Sequence, residues 1–158
     1  ISSPTSNALR IYGSLIFSSA MNIAIQGGTT FQASSLGKTI RMNGKIFSSG
    51  VGFNGLGGEW TLLDAFTVNG GIFLGAGTLT SNNQLVTMSS FNSETTTTRK
   101  LNMGSSIFNL TSGDWKCYSF FMTINCGTSV INLNSPNGAY LSGGNFTYYN
   151  VNFNGTIL

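Results

Sequence analysis

The apolar residues of this chain come in short bursts broken by Gly, Asn, Ser or Thr. Lys38-Thr39-Ile40-Arg41-Met42, Trp60-Thr61-Leu62-Leu63, Ala65-Phe66-Thr67-Val68 and Gln84-Leu85-Val86-Thr87-Met88 alternate apolar with polar or small positions. That is the period of a half-buried strand. Asn22-Ile23-Ala24-Ile25 has the same character. Corners rich in Gly, Asn or Ser bound these bursts, among them Gly27-Gly28, Gly57-Gly58, Asn69-Gly70, Ser81-Asn82-Asn83, Asn137-Gly138 and Gly143-Gly144. Strand starts fall roughly six to ten positions apart, so three strands with their corners make a turn of about 20 residues or more.

A second pattern repeats along the chain: Gly, one or two small or polar residues, then paired apolar residues. It reads Gly13-Ser14-Leu15-Ile16-Phe17, Gly44-Lys45-Ile46-Phe47, Gly70-Gly71-Ile72-Phe73, Gly104-Ser105-Ser106-Ile107-Phe108 and Gly127-Thr128-Ser129-Val130-Ile131. The last two copies align without a gap, 23 positions apart, whereas the earlier spacings are looser. Phe17, Phe47, Phe73 and Phe108 hold equivalent places in this unit and predict one stacked column of core rings.

Short strands, Gly, Asn and Ser corners and a loose period predict an all-β fold, a right-handed, three-sided parallel β-helix over residues 10–158. Residues 1–9 read as an arm or linker. The structural rival is an up-and-down barrel or a sandwich, since Asn-Gly also marks hairpins. The Gly-led repeat and the brevity of the strands favour the solenoid. So does Asn near the corners, because in a solenoid amide side chains can stack in register and bond along the axis. Asn92 to Lys100 breaks the rhythm with a polar run, predicting an excursion or an exposed face.

Composition narrows the function classes. Only 7% of the 158 residues are charged, Gly supplies 21 and His none. No stretch approaches the roughly 18–20 apolar residues of a spanning helix, so membrane insertion is not expected. The chain opens Ile1-Ser2-Ser3-Pro4 without Met or an apolar signal core, which reads as a processed product or a piece of something longer. Seven basic and four acidic residues leave a net charge of +3. The basic residues are scattered and no aromatic residues interleave with them, so no specific nucleic acid is expected as partner.

The residues from about Glu59 to Gly155 carry a resemblance. The series includes Trp60-Thr61-Leu62-Leu63-Asp64-Ala65-Phe66-Thr67-Val68, Gly77-Thr78-Leu79-Thr80-Ser81-Asn82-Asn83-Gln84, Ser89-Ser90-Phe91-Asn92-Ser93 and Leu101-Asn102-Met103-Gly104-Ser105-Ser106. It continues in Gly127-Thr128-Ser129-Val130-Ile131 and Gly143-Gly144-Asn145-Phe146-Thr147-Tyr148-Tyr149-Asn150. As a series it resembles a repeat of β-helical phage tail-fibre and virion structural proteins and of bacterial surface adhesins. The resemblance implies a β-helical module of a tail fibre, spike or appendage, or of an extracellular adhesin or filament-forming surface protein. It implies no catalytic motif.

The residues themselves offer little chemistry. Without His there is no imidazole base and no two-His metal site. The carboxylates are Glu59, Asp64, Glu94 and Asp114. Glu59 and Asp64 flank Trp60, and Asp114 adjoins Trp115, which is the most a glycan-degrading tailspike could use. The plainer reading places each acid at a corner, solvated or accepting from backbone amides. No enzyme activity, cofactor or metal is expected. Cys117 and Cys126 match no metal or redox motif and read as buried thiols, with a disulfide across a corner as the alternative.

For ligands, the aromatic residues outside the core column are the natural glycan contacts if exposed: Trp60, Trp115, Tyr140 and Tyr148. Lys38, Arg41 and Lys45 could attract acidic glycans. An ice-binding face would need regular ranks of Thr at rung spacing, and Thr78-Leu79-Thr80 and Thr95 to Thr98 do not recur that way. The expected function is a non-enzymatic structural or adhesive module on a virion or cell surface. Its expected partners are copies of itself, in a trimer or larger assembly, other surface or virion proteins, and cell-surface glycan.

Overall fold

Each alternating burst becomes one parallel strand, and the corners return the chain to lay the next strand beside the last. The computed structural model describes residues 8–23, 25 and 27–155, and among these there is no helix. The first turn holds β1 (Leu9–Ile11) and β2 (Leu15–Ile16); the second holds β3 (Thr29–Phe31), β4 (Lys38–Arg41) and β5 (Ile46–Phe47). The third turn is β6 (Val51–Leu62) with β7 (Phe66–Val68), and the fourth is β8 (Ile72–Thr80) with β9 (Leu85–Met88). The fifth comprises β10 (Phe91–Ser93), β11 (Arg99–Asn102) and β12 (Ile107–Leu110), and the sixth β13 (Trp115–Cys117), β14 (Met122–Asn125) and β15 (Val130–Leu133). β16 (Leu141–Ser142) and β17 (Asn150–Phe153) lie beyond them.

The pairings are parallel throughout, so the chain is a β-solenoid of about six turns. Three faces emerge from the pairing. The first runs β1, β3, β6, β8, β10, β13, β16, and the third runs β5, β7, β9, β12, β15, β17. The second links β2, β4, β6, β8, β11 and β14. The long strands β6 and β8 belong to both the first and second faces, and where they turn the corner the register shifts, from Asn54 opposite Ala76 to Glu59 opposite Thr78.

Alternation decides which side chains fill the interior. Along β6 the residues Glu59, Thr61 and Asn54 face out, while Phe53, Trp60 and Leu62 are buried. The early turns pack Phe31 flat on Phe53, 5.1 Å between centroids, with Trp60 tilted against both. In later turns Phe91 stacks on Trp115 at 4.3 Å, with Phe108 edge-on to the indole. Burying rings of this size removes about 150–250 Å² each from water, the main source of cohesion in so uncharged a chain.

Amides do form axial ladders. Asn125 Nδ2 donates to Asn102 Oδ1 at 2.7 Å, Asn132 to Asn109 at 2.8 Å, Asn152 to Asn132 at 2.8 Å and Asn154 to Asn134 at 2.9 Å. Register partners stand 19 positions apart between Ile72 and Phe91 and 26 apart between Trp115 and Leu141, the looseness anticipated above. Corners absorb the difference, since strand length is fixed by the face and corner length is not.

Several expectations need correction. The single Phe column is split: Phe47 aligns with Val68, whereas Phe108 aligns with Val86, two positions off the Met88–Leu110 pair that continues the other rank. Phe73 is 38% exposed, because in β8 it takes an outward place between buried Ile72 and Leu74. The Gly-led unit likewise mixes corners. Gly44, Gly104 and Gly127 precede strands of the third face, but Gly13 leads into the second and Gly70-Gly71 into the first. Leu9 already pairs with Thr29, so the solenoid begins one residue inside the expected arm; residues 1–7 lie outside the described residues. Asn22, Ile23 and Ile25 are not in a strand, and Ala24 lies outside the described residues.

Candidate functional site

Chemistry on a solenoid lives where a corner departs from the regular turn, and here that is the edge between the first and second faces. In turn three the edge is Asn54 to Gly58, in turn four Gly75 to Gly77, in turn five Glu94 to Thr98 and in turn six Tyr118 to Phe121. Turn four is the tightest: Gly75, Ala76 and Gly77 are all buried, so the edge is recessed there. Above the recess project Tyr12, Leu36 and Leu56, exposed by 65%, 69% and 62%. Below it project Tyr118, Phe120 and Phe121. The recess therefore lies between two apolar shoulders.

The lower shoulder is held by a buried cation. Arg99 is 2% exposed and spends every N–H of its guanidinium inside the protein. Nε donates to Ser93 Oγ at 2.7 Å, and Nη1 to the carbonyls of Thr97 at 3.0 Å and Phe120 at 2.7 Å. Nη2 donates to the carbonyls of Ser93 and Tyr118, the latter at 2.9 Å. Burial lowers the affinity of this guanidinium for its proton relative to an ordinary Arg. Among the described residues the one ion pair is Lys116–Asp114, so carbonyl dipoles rather than a carboxylate balance Arg99. Phe121 is held at φ 51°, a left-handed conformation that is costly for a bulky residue and turns the loop outward.

Three of the four carboxylates are engaged beside corners. Asp64 accepts from the N–H groups of Met42 at 2.7 Å and Asn43 at 2.6 Å, fastening turn three to turn two. Asp114 accepts from the Tyr140 N–H at 3.0 Å and pairs with Lys116 at 2.9 Å. The Lys116 hydrogen bond is the main cause holding the Asp114 carboxyl below its ordinary range. Glu94 accepts from Asn92 Nδ2, and Glu59 lies half-buried on the outward side of β6.

Trp60 and Trp115 are 0% exposed and cannot touch a glycan from outside, which corrects their assignment as contacts. Each sits at an inward place of its strand, where so large a ring is the best filler of a rung. Tyr148 is half-buried and turned inward: its hydroxyl accepts from Trp115 Nε1 at 3.1 Å and donates to the Gly143 carbonyl at 3.0 Å. Tyr140 is exposed. Lys38, Arg41 and Lys45 lie in the second turn, with Lys45 Nζ donating to the Ser19 carbonyl. Four rungs of about 4.8 Å separate them from Tyr140, so the fold does not gather that set into one site. The sequence reasoning missed Arg99 and the Phe120-Phe121 pair. The signal for the pair was two adjacent aromatics that break strict alternation.

Hydroxyl ranks invisible in the linear sequence also emerge. Thr39, Thr61 and Thr80 are register neighbours on the second face, but the rank continues as Asn102 and Asn125. The adjacent rank reads Glu59, Thr78, Lys100, Thr123, and charge within it spoils a match to ice.

Both cysteines are free thiols, Cys117 buried and Cys126 half-buried. Burial pushes the Cys117 thiol from 9.0 up to about 12, and burial raises the Tyr148 phenol as well. Both groups keep their protons in the fold where the unfolded chain would release them. Stability is therefore full below pH 9 and falls as pH rises toward 12. Between pH 8 and pH 11 the loss owed to Cys117 is expected to be on the order of 2 kcal/mol. Urea unfolding of Cys117→Ala at both pH values tests this: the variant should lose less than the parent across that interval.

Fold and edge together define a class, the parallel β-solenoid with an apolar-shouldered edge. No family model, no curated protein and no solved structure matches the chain.

Proposed function

We propose that this chain is a non-enzymatic structural and adhesive module, a stiff rod of an extracellular surface assembly, with a phage virion fibre, spike or appendage as its setting. The observation that carries the reading is the pair of apolar shoulders, Tyr12, Leu36 and Leu56 on one side and Tyr118, Phe120 and Phe121 on the other. Large apolar residues grouped along one edge mark a contact with another protein. The third face supports it too: its six strands carry no charged residue, and Leu85, Ile107 and Val130 form an outward rank upon it. Such neutral surfaces let rods pack side by side without desolvating charge. The resemblance of the residues from about Glu59 to Gly155 to repeats of phage virion proteins and bacterial surface adhesins supports a surface setting of either kind, with the bacterial adhesin as the alternative to the virion.

Sedimentation velocity and electron microscopy of the purified chain test the reading. Trimers or larger bundles of rods are expected, and Phe120→Ser with Phe121→Ser should return them to monomers without lowering the melting temperature of the rod. A parent chain that stays monomeric at high micromolar concentration would overturn self-assembly.

A further inference from the structure

We infer that the recess on the edge is a binding site for a carboxylated saccharide unit. The inference rests on the adhesive side of the reading above, for which it names a ligand class. The recess is an open groove of about 310 Å³, at the small end of the range of small-ligand sites. Its wall is the outward rank Thr78, Lys100, Thr123, register neighbours on three successive rungs spanning about 10 Å. Thr98 adds a third hydroxyl from the turn-five loop, and exposed Leu36 forms the apolar rim.

Three features make this a built site rather than a dent. Its floor is backbone: Gly57, Gly58 and Gly77 line it, and a Cβ at Gly77 would fall 2.4 Å from the Gly55 carbonyl. The floor rests on the buried indole of Trp60, and the lower lip is fixed by Arg99 through the Thr97 and Phe120 carbonyls. The site is thus preorganised, which limits the ordering cost of binding. Second, none of the hydroxyls of Thr78, Thr98 and Thr123 has a hydrogen-bond partner within 3.5 Å among the described residues, and Lys100 has no carboxylate within 4 Å among them. Third, no acidic side chain lines the recess, and Glu59, which continues the rank beyond Thr78, stands two rungs from Lys100.

These groups set the ligand chemistry. One ammonium balances one negative charge, which suits a carboxylate better than a phosphate dianion. Free threonine hydroxyls both donate and accept, as sugar hydroxyls require. Leu36 offers a surface for the C–H face of a ring. An apolar ligand would leave the ammonium and hydroxyls unpaired, at a cost in free energy.

The test uses the full chain with methyl β-D-glucuronide, methyl β-D-glucoside and a glucuronic-acid-containing polysaccharide, read by calorimetry and tryptophan fluorescence. The acidic ligands should bind at least tenfold more tightly than the neutral glucoside. Lys100→Met should abolish that preference, Thr123→Val should weaken binding severalfold, and Arg10→Gln, on the first face away from the recess, should change neither. Circular dichroism melts of each variant guard against misfolding. Binding of the monosaccharide assigns the recess to a terminal sugar; Lys100-dependent binding of the polymer alone assigns it to an internal unit. Equal binding of glucuronide and glucoside, an unaffected Lys100→Met, or no binding of either acidic ligand would overturn the inference. Sedimentation of the same samples separates the two readings. Assembled rods that bind nothing refute the ligand alone, and monomers that bind refute the assembly alone.

Discussion

Replacing Arg99 by methionine is expected to lower the unfolding free energy by about 3–5 kcal/mol, among the largest losses any single substitution here can cause. Two effects oppose each other. Methionine removes a buried charge and so relieves its desolvation. It also strips donors from the carbonyls of Ser93, Thr97, Tyr118 and Phe120 and from the Ser93 hydroxyl. The second effect wins, because the fold has already met the cost of burying the guanidinium, while the carbonyls of Thr97, Tyr118 and Phe120 have no other hydrogen-bond partner among the described residues; the Ser93 carbonyl keeps only the Tyr118 N–H. Lysine should recover little: it keeps the charge but brings three donors on a point-like head instead of a planar fork of five. Chemical denaturation measures the loss. Hydrogen exchange should localise it, with early exchange across residues 94–98 and 118–121. A fully stable Arg99→Met would mean the two loops are held by other contacts.

Gly58→Ala should cost about 3 kcal/mol and lower the melting temperature by roughly 6–12 °C, with valine worse. The added Cβ would lie 2.0 Å from the Ala33 carbonyl of the preceding turn and 2.9 Å from the Trp60 ring, and neither can retreat without opening a rung. Two neighbours calibrate the claim. Gly57→Ala meets only the Ser34 carbonyl at 3.5 Å, so its cost of about 1–2 kcal/mol comes from its positive φ of 76°. Gly13→Ala meets nothing and should be neutral. Thermal melts of the three variants should fall in that order, and equal losses at Gly58 and Gly13 would refute the close-packing account.

Much of this architecture was legible before any coordinates. Alternation at Ala65 to Val68 and Gln84 to Met88 gave strands β7 and β9 within a residue or so, because the period-2 pattern is a direct record of which side is buried. The gapless alignment of the repeats at Gly104 and Gly127 became an actual register, with Phe108 beside Ile131. The amide ladders followed from Asn abundance once strands were taken as parallel and stacked. The reading of Asp64 as a corner acid accepting backbone amides also holds.

The candidate site was legible only in fragments. Trp60 and Trp115 were candidate ligand contacts because they fall outside the Phe column, yet strand parity put them inside. Arg99 sat in a polar run that predicted exposure, but two corner loops closed over its side chain and supplied its acceptors.

The sequence by itself determined the fold class, since alternation and corner chemistry are local properties carried by adjacent residues. Only the tertiary structure decided the edge. The recess joins Leu36, Gly58, Gly77, Lys100 and Thr123, drawn from five different turns. Which of them meet depends on the register of successive rungs, and register depends on corner lengths that vary along the chain. A strand that slipped by one position against its neighbour would turn its side chains to the opposite side of the sheet and break the rank. That sensitivity is the physical reason the strands could be read from the sequence and the site could not.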